Sequence, residues 1–423
     1  MRQTIIIGGG AAGMMAAIVS AREGDGVELL EHTDTLGKKL LSTGNGRCNL
    51  TNKNLDISCY HSEHLNFPLP ALKQFGYKET LRFFGELGLF FKERNGYLYP
   101  RASQASAVRE ALLSELSRLG VRIRTGCKVT EILKKADQSF LIRTEDMSFF
   151  ADALVLACGG KAAPFTGSDG SGYPLAVSLG HRLIPPVPAL TGLLAASSPF
   201  RKAAGVRTDG RVSLYVEENG KQWFMGADTG EIQLTDSGIS GIPVFQVSRH
   251  AARALAEKKR VFAKLDFLPE YHRAKVETYI QEYGETGNEE AERLLLNALE
   301  KDGDCFRILC GLFPEKLVAV FLKKAGIPLH APSGRVERRK KQILSKLVCQ
   351  FPLEITAVND FTKAQVTAGG IDTRQVQANT MESIPVPGLY FAGEILDVDG
   401  ICGGYNLQWA WASGFLAGKQ GRP

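Results

Sequence analysis

Gly8, Gly10 and Gly13 stand at G-x-G-x-x-G spacing immediately after the β-branched run Ile5-Ile6-Ile7. Such a run reads as a buried parallel strand, and the glycines as its turn into a helix starting near Ala11. One glycine makes the tight turn, one lets the backbone approach a pyrophosphate, and one lets helix and strand pack closely. The helix start would offer unpaired N–H groups and a positive dipole end to an anion. Val27, Leu29 and Leu30 suggest a second strand, and Glu31 follows it, 18 residues after Gly13. A carboxylate there accepts hydrogen bonds from ribose hydroxyls and repels a 2′-phosphate. A second glycine-rich segment, Phe391-Ala-Gly-Glu-Ile-Leu-Asp-Val-Asp-Gly-Ile-Cys-Gly-Gly-Tyr-Asn-Leu-Gln408, lies at the other end of the chain. It reads as a strand, a loop and a helix. One long ligand spanned by both ends of the chain accounts for the two segments together, and FAD is the best candidate.

These segments must be positioned by the elements between them. Leu36 to Asn52 mixes small, cationic and amide residues. Its Lys38, Lys39 and Arg47 can neutralise phosphates or hydrogen-bond a flavin edge, and Gly44 and Gly46 let the chain pass near a planar ring. Ala107–Leu119 has helical apolar spacing, and strands return at Val121–Arg124 and Cys127–Thr130, with a meander over Phe140–Arg143 and Phe149–Ala151. Ala153–Gly160 is another buried strand, whose Gly159 is placed for a second close pass by the dinucleotide. After Pro185, Pro186 and Pro188 the pattern changes to short antiparallel runs, such as Arg211–Val216 and Glu231–Leu234. Helical spacing follows in Ala274–Tyr283, Ala291–Leu299, Glu315–Ala325 and Val336–Val348. Strands resume at Leu353–Val358, Ala364–Gly370 and Gly388–Gly393, and Gly404–Gly418 closes the chain as a helix. The expected architecture is α/β: a discontinuous Rossmann-type FAD-binding domain (1–190 and 363–423) carrying a β insert (191–266 and 347–362) and a helical insert (267–346).

At 423 residues the chain is long enough for two or three domains. A net charge of +6 is only mildly basic. The one dense basic run, Arg335 to Lys341, reads as a solvated helix face before it reads as a nucleic-acid or anionic-surface contact. Nothing approaches the roughly 18–20 uninterrupted apolar residues that span a bilayer. The N-terminus enters a strand directly, which argues against a signal peptide. Eight cysteines without C-x-x-C spacing fit a reducing cytoplasm. Seven histidines without H-x-x-x-H or H-E-x-x-H spacing predict no metal site.

Over almost its full length the chain resembles the YhiN-like (BaiN-like) bacterial flavoproteins, also described as NAD(P)/FAD-dependent or aminoacetone-oxidase-family oxidoreductases. The matching segments are Gly8–Gly13, Gly44-Asn-Gly-Arg-Cys-Asn-Leu-Thr-Asn52, Ala364–Gly370, Thr380–Ser383, Gly393–Gly400 and Gly403–Gln408. The resemblance implies non-covalent FAD in a Rossmann-type domain with inserted β and helical domains, and bile-acid C=C reduction as one activity of the family. Carried over by position, Gly8, Gly10, Ala12 and Gly13 would hold the pyrophosphate and Glu31 the adenosine ribose. Val129 would offer its backbone to adenine. Lys39, Leu40, Arg47 and Asn49 would lie along the flavin half. Glu394 and Asp397, beside Gly393, would approach the ribityl or pyrophosphate, and Gly404, Asn406 and Leu407 the ring. Cys158, Cys402 and Asp236 depart from the family pattern, which leaves the substrate open.

Reduction of an activated C=C needs a hydride from flavin N5 and a proton donor at the adjacent carbon. Arg47, Cys48, Asp236, Cys402 and Tyr405 are the candidates by position. Cys48 and Cys402 read equally as packing residues, Arg47 as a cofactor contact and Tyr405 as pocket lining, so none is singled out. With no second G-x-G-x-x-G after a strand, NAD(P)H as electron donor would visit the flavin face transiently. The expected activity is reduction of a hydrophobic 3-oxo-Δ4 steroid or bile-acid-like substrate, a CH–CH oxidoreduction. Phe224, Ile239, Ile242 and Phe245 could line an apolar pocket or simply pack a core. The alternatives are an amine or aminoketone oxidase releasing hydrogen peroxide, and an FAD-dependent enzyme acting on RNA.

Overall fold

In the computed structural model, strand β1 (Gln3–Ile7) is the middle of a five-stranded sheet. With β2 (Gly26–Leu30), β3 (Arg122–Arg124), β4 (Ala153–Leu156) and β5 (Leu389–Phe391), the order is β5-β4-β1-β2-β3. Every neighbouring pair is parallel. Strands buried on both faces need continuous apolar runs rather than alternation, and Ile5, Ile6, Leu154, Val155, Leu389 and Phe391 are all buried. The expected meander forms a separate antiparallel sheet of Val129–Lys134, Phe140–Thr144 and Ser148–Ala151.

The structure describes residues 1–272, 289–301 and 303–422. The chain divides into two units, Met1–Val187 with Gln365–Pro423, and Pro188–Ala364. In the first, helix α1 (Ala11–Arg22) is buried almost all round, from Ala12 through Ser20. Its partner is the closing helix α3 (Tyr405–Lys419), while the short helix α2 (Lys38–Ser42) lies in the cationic and amide-rich segment Leu36–Asn52. A methyl group on Gly414 would lie 2.5 Å from the Ala12 carbonyl oxygen, and one on Gly418 would lie 2.7 Å from that of Ala16. Absent side chains therefore let α1 and α3 touch backbone to backbone, in the same direction.

The second unit holds a closed six-stranded barrel in the order Leu193–Ala195, Gly238–Ser240, Lys221–Leu234, Arg207–Glu218, Arg260–Asp266 and Phe351–Val358. The region read as purely antiparallel β also contains the helix Ile242–Ala256. Its Val244, Val247, Ala251 and Ala254 recur at helical spacing and are buried with the barrel strands. The β-branched and aromatic start of that segment obscured the period. The helices Glu289–Glu300, Glu315–Lys324 and Arg338–Cys349 fall where expected, and Cys305–Cys310 adds one more. The expected helix Ala274–Tyr283 lies outside the described residues. Barrel and helices share one core, in which Phe267 packs 5.2 Å from Phe321.

Candidate cofactor site

A cleft of about 1250 Å3, its open mouth included, lies wholly within the first unit at the C-terminal ends of β1, β2 and β4. That is the place where open parallel sheets bind ligands. It is built on the turn after β1. Gly8 sits at φ +108°, and a methyl on it would lie 2.4 Å from the Ala157 carbonyl oxygen. A methyl on Gly13 would come 1.8 Å from the Gly8 oxygen, so this glycine lets helix and strand close up. At Gly10 a methyl would meet nothing within 4 Å, because that position faces the open cleft. Helix α1 starts there with no side-chain cap and no acid in its first turn. Its free N–H groups point where an anion would be stabilised.

Glu31 is held in place by two backbone donors. The Gly9 N–H donates to its Oε2 at 2.7 Å and the Thr33 N–H to its Oε1 at 2.8 Å. An ionised carboxylate has about four acceptor positions, and with His32 Nδ1 also 3.5 Å from Oε1, the free capacity lies mainly on Oε2. Farther along the cleft Lys39 donates to Glu394 at 2.6 Å, and the other Glu394 oxygen accepts from the Thr367 N–H at 2.8 Å. The pair ties α2 to the turn after β5. Cys158 also lines the cleft, and burial pushes its thiol up to about 12.

The second helix start is fixed as firmly. Gly404 caps α3 at φ +92°, where a methyl would strike the Thr51 backbone and Asn49 Oδ1. Asn406 clamps the preceding loop, its amide exchanging 2.8 Å bonds with both the N–H and the carbonyl of Gly400. Gln408 is fully buried. Its oxygen accepts from Thr51 and Thr80, and its nitrogen donates to the Phe75 carbonyl at 2.7 Å. Asn49 Oδ1 is a buried acceptor with no partner, at this same helix start. Since Ala12 meets Gly414 and Ala16 meets Gly418, α3 begins eight residues farther back than α1. At 1.5 Å per residue the two helix starts are offset by roughly 12 Å along the common direction. Two uncapped positive ends at that offset, an open approach at Gly10 and an orphaned amide oxygen fit a long dinucleotide carrying a polar ring.

Of the residues expected from sequence, Gly8, Gly10, Ala12, Glu31, Lys39, Leu40, Val129, Gly159, Gly393, Glu394, Asn406 and Leu407 line this cleft. Gly13, Asn49 and Gly404 stand behind its wall in the contacts just described. Asp397 is fully buried and accepts from the Glu63 N–H at 2.8 Å. Arg47 is exposed and off the lining. Among the proton-donor candidates, Cys48 is fully buried with its thiol raised to about 12 by burial. Tyr405 is buried and donates to the Asn54 carbonyl at 3.1 Å, and burial with the neighbouring Cys59 raises its hydroxyl pKa. Cys402 is half-buried, and Asp236 is exposed in the second unit. Sequence reading missed His32, Thr33, Ser168 and Trp409 on the lining. Only Ser168 had a signal, the turn-rich stretch Thr166-Gly-Ser-Asp-Gly170 after β4.

The sheet and its glycine turn define a Rossmann-type dinucleotide-binding protein, and within that fold this chain is of the FAD-dependent oxidoreductase class. The family model described as "HI0933-like protein Rossmann domain" matches residues 2–420, and the chain belongs to that family. It is 48% identical to a 3-dehydro-bile acid delta(4,6)-reductase of Clostridium scindens, covering 99% of this chain and 98% of that protein. It is also 28% identical to a ribosomal RNA dihydrouridine synthase of Escherichia coli and 27% to that of Haemophilus influenzae, over 98% of this chain and 96% of each. No described helix is long and apolar enough to cross a membrane.

Proposed function

We propose that the protein is a reductase carrying electrons from NAD(P)H through FAD to an activated C=C bond of a flat hydrophobic substrate, a 3-oxo steroid or bile-acid-like acid. The observation that carries this reading is the 48% identity, over nearly all of both chains, to the bile-acid reductase. Bound FAD supplies the hydride chemistry. The Gly8–Gly13 turn and the first N–H groups of α1 hold the pyrophosphate, Glu31 binds the adenosine ribose, and Val129 lies along adenine. Lys39, Leu40, Asn406 and Leu407 flank the flavin half, where the start of α3 favours negative charge. Leu40, Val366, Val398 and Trp409 give the cleft apolar walls.

The test is anaerobic stopped-flow of the FAD-loaded protein with NADH or NADPH, followed near ~450 nm, a typical flavin band, with and without a 3-oxo-Δ4 steroid acid. Bleaching followed by steroid-dependent recovery of colour is the expected result. No bleaching with either nucleotide refutes the donor, and hydrogen peroxide formed from an amine without NAD(P)H would establish the oxidase reading instead. The RNA reading has the two dihydrouridine synthases in its favour, at much lower identity. It predicts recovery of colour with a uridine-containing ribosomal RNA fragment and not with the steroid.

A further inference from the structure

The helix Arg338–Cys349 opens with four successive cations, Arg338, Arg339, Lys340 and Lys341, just after Arg335. The first turn is the positive end of the helix dipole, where cations are repelled. This turn holds no acid, and no side chain caps it. Some arginines elsewhere are paired, Arg22 and Arg118 with Glu115, Arg124 with Glu28, Arg260 with Glu217 and Glu354, Arg374 with Asp372, but the cations here stand close together in sequence. Among the described residues no carboxylate lies within ion-pair distance of Arg335, Arg338, Arg339, Lys340, Lys341 or Lys346, although the neighbouring helix Glu289–Glu300 is acidic. Glu337 precedes the turn, and the remaining positive charge, without an ion-pair partner among the described residues, calls for an anion from outside.

The solvent face of the helix says which kind. Arg338, Arg339, Gln342, Ile343 and Lys346 are exposed, while Leu344, Leu347 and Val348 pack inward. Ile343, 40% exposed, stands among the cations. Surfaces that bind single-stranded nucleic acid set exposed aromatic rings between their cations, so that bases can stack. Here Phe313, Phe321 and Phe351 are buried, and what is exposed beside the charge is aliphatic. Aliphatic side chains among cations suit the headgroup layer of an anionic bilayer. We propose that the helix Arg338–Cys349 docks the protein on an anionic phospholipid surface, its cations on headgroup phosphates and Ile343 in the interfacial layer. The proposal is independent of the substrate.

The test is co-sedimentation of the full-length, FAD-loaded protein with phosphatidylglycerol or phosphatidylcholine vesicles at low and high salt. Binding to the first alone, lost in high salt, is expected. R338Q/R339Q should weaken it about 25-fold, at about fivefold per cation, and I343S should weaken it while keeping every charge. Unchanged flavin content and melting temperature in both variants exclude misfolding. Absence of vesicle binding at low salt, or binding indifferent to R338Q/R339Q, overturns the proposal. So does an oligouridylate that displaces the protein from vesicles and whose own binding depends on Arg338 and Arg339, which would make the face an RNA footprint.

Discussion

Gly10→Ala and Gly13→Ala should fail in different ways, because the space around the two glycines differs. At Gly10 the added methyl meets no protein atom within 4 Å, and the backbone, at φ −77° and ψ −172°, is one that alanine adopts readily. Losing unfolded-state freedom stabilises by about 0.4–1 kcal/mol, and replacing a glycine N-cap by alanine costs a comparable amount. The apo protein should therefore melt within about 4 °C of the parent. The same methyl would occupy the space through which the pyrophosphate approaches α1, so the FAD Kd should rise at least about tenfold, or 1.4 kcal/mol. At Gly13 the methyl would lie 1.8 Å from a backbone oxygen. Overpacking commonly costs about 1–3 kcal/mol, and with backbone as the obstacle the upper end is expected, as a clear drop in apo melting temperature. Calorimetric melting of the apo variants and FAD titration by flavin fluorescence separate the two effects. Parent-like FAD affinity in G10A would refute the placement of the pyrophosphate, and a destabilised apo G10A would refute the open approach.

Three further outcomes are expected. Glu31→Gln turns an oxygen that accepts from a backbone N–H into an amide, or faces the ligand with a donor in its place. Hydrogen bonds to charged groups are worth about 1.5–3 kcal/mol, so the FAD Kd measured by titration calorimetry should rise about 10–100-fold; an unchanged Kd would remove Glu31 from the ribose site. Cys158, with its thiol raised to about 12, should be about one part in 10^4 thiolate at pH 8. Mass spectrometry should therefore find it alkylated far more slowly than glutathione, and labelling at the glutathione rate would contradict the raised pKa. His181 is buried, with Nδ1–H donating to the Ala176 carbonyl and Nε2 accepting from Ser383, and burial pushes its pKa below the ordinary value. Because the folded pKa lies below the unfolded one, its contribution to stability is present above about pH 6.5 and is lost as pH falls toward the folded value. Melting temperature should fall on acidification through that window, less steeply in H181F; equal slopes would refute the assignment.

The parts of the site that were legible in the sequence are those whose chemistry is local. Ile5–Ile7 with Gly8, Gly10 and Gly13 specify a strand, a turn and a helix start within ten residues, and Glu31 follows from the length of one α-helix and one strand. The structure places these where the pattern predicts, lining the cleft or packing its turn. What was hidden depends on pairings across the chain. Lys39 reads in sequence as a free cation for phosphate or flavin, yet it is bonded to Glu394, 355 positions away. Asp397 reads as a ligand contact, and in the fold it also anchors the Glu63 backbone. Ala12 reads as a pyrophosphate contact and Gly414 as an ordinary helix residue, and their backbone contact sets the offset between the two helix starts. That offset follows from side chains being absent, and an absent side chain leaves no hydrophobic period to read. The two helices could have been recognised separately as anion-favouring. That they serve one ligand follows only when Gly414 and Gly418 are seen against α1. Replacing Gly418, which faces Ala16 and Val19, by a larger residue should therefore weaken FAD binding without touching any residue of the cleft, which distinguishes a site defined by helix spacing from one defined by its lining alone.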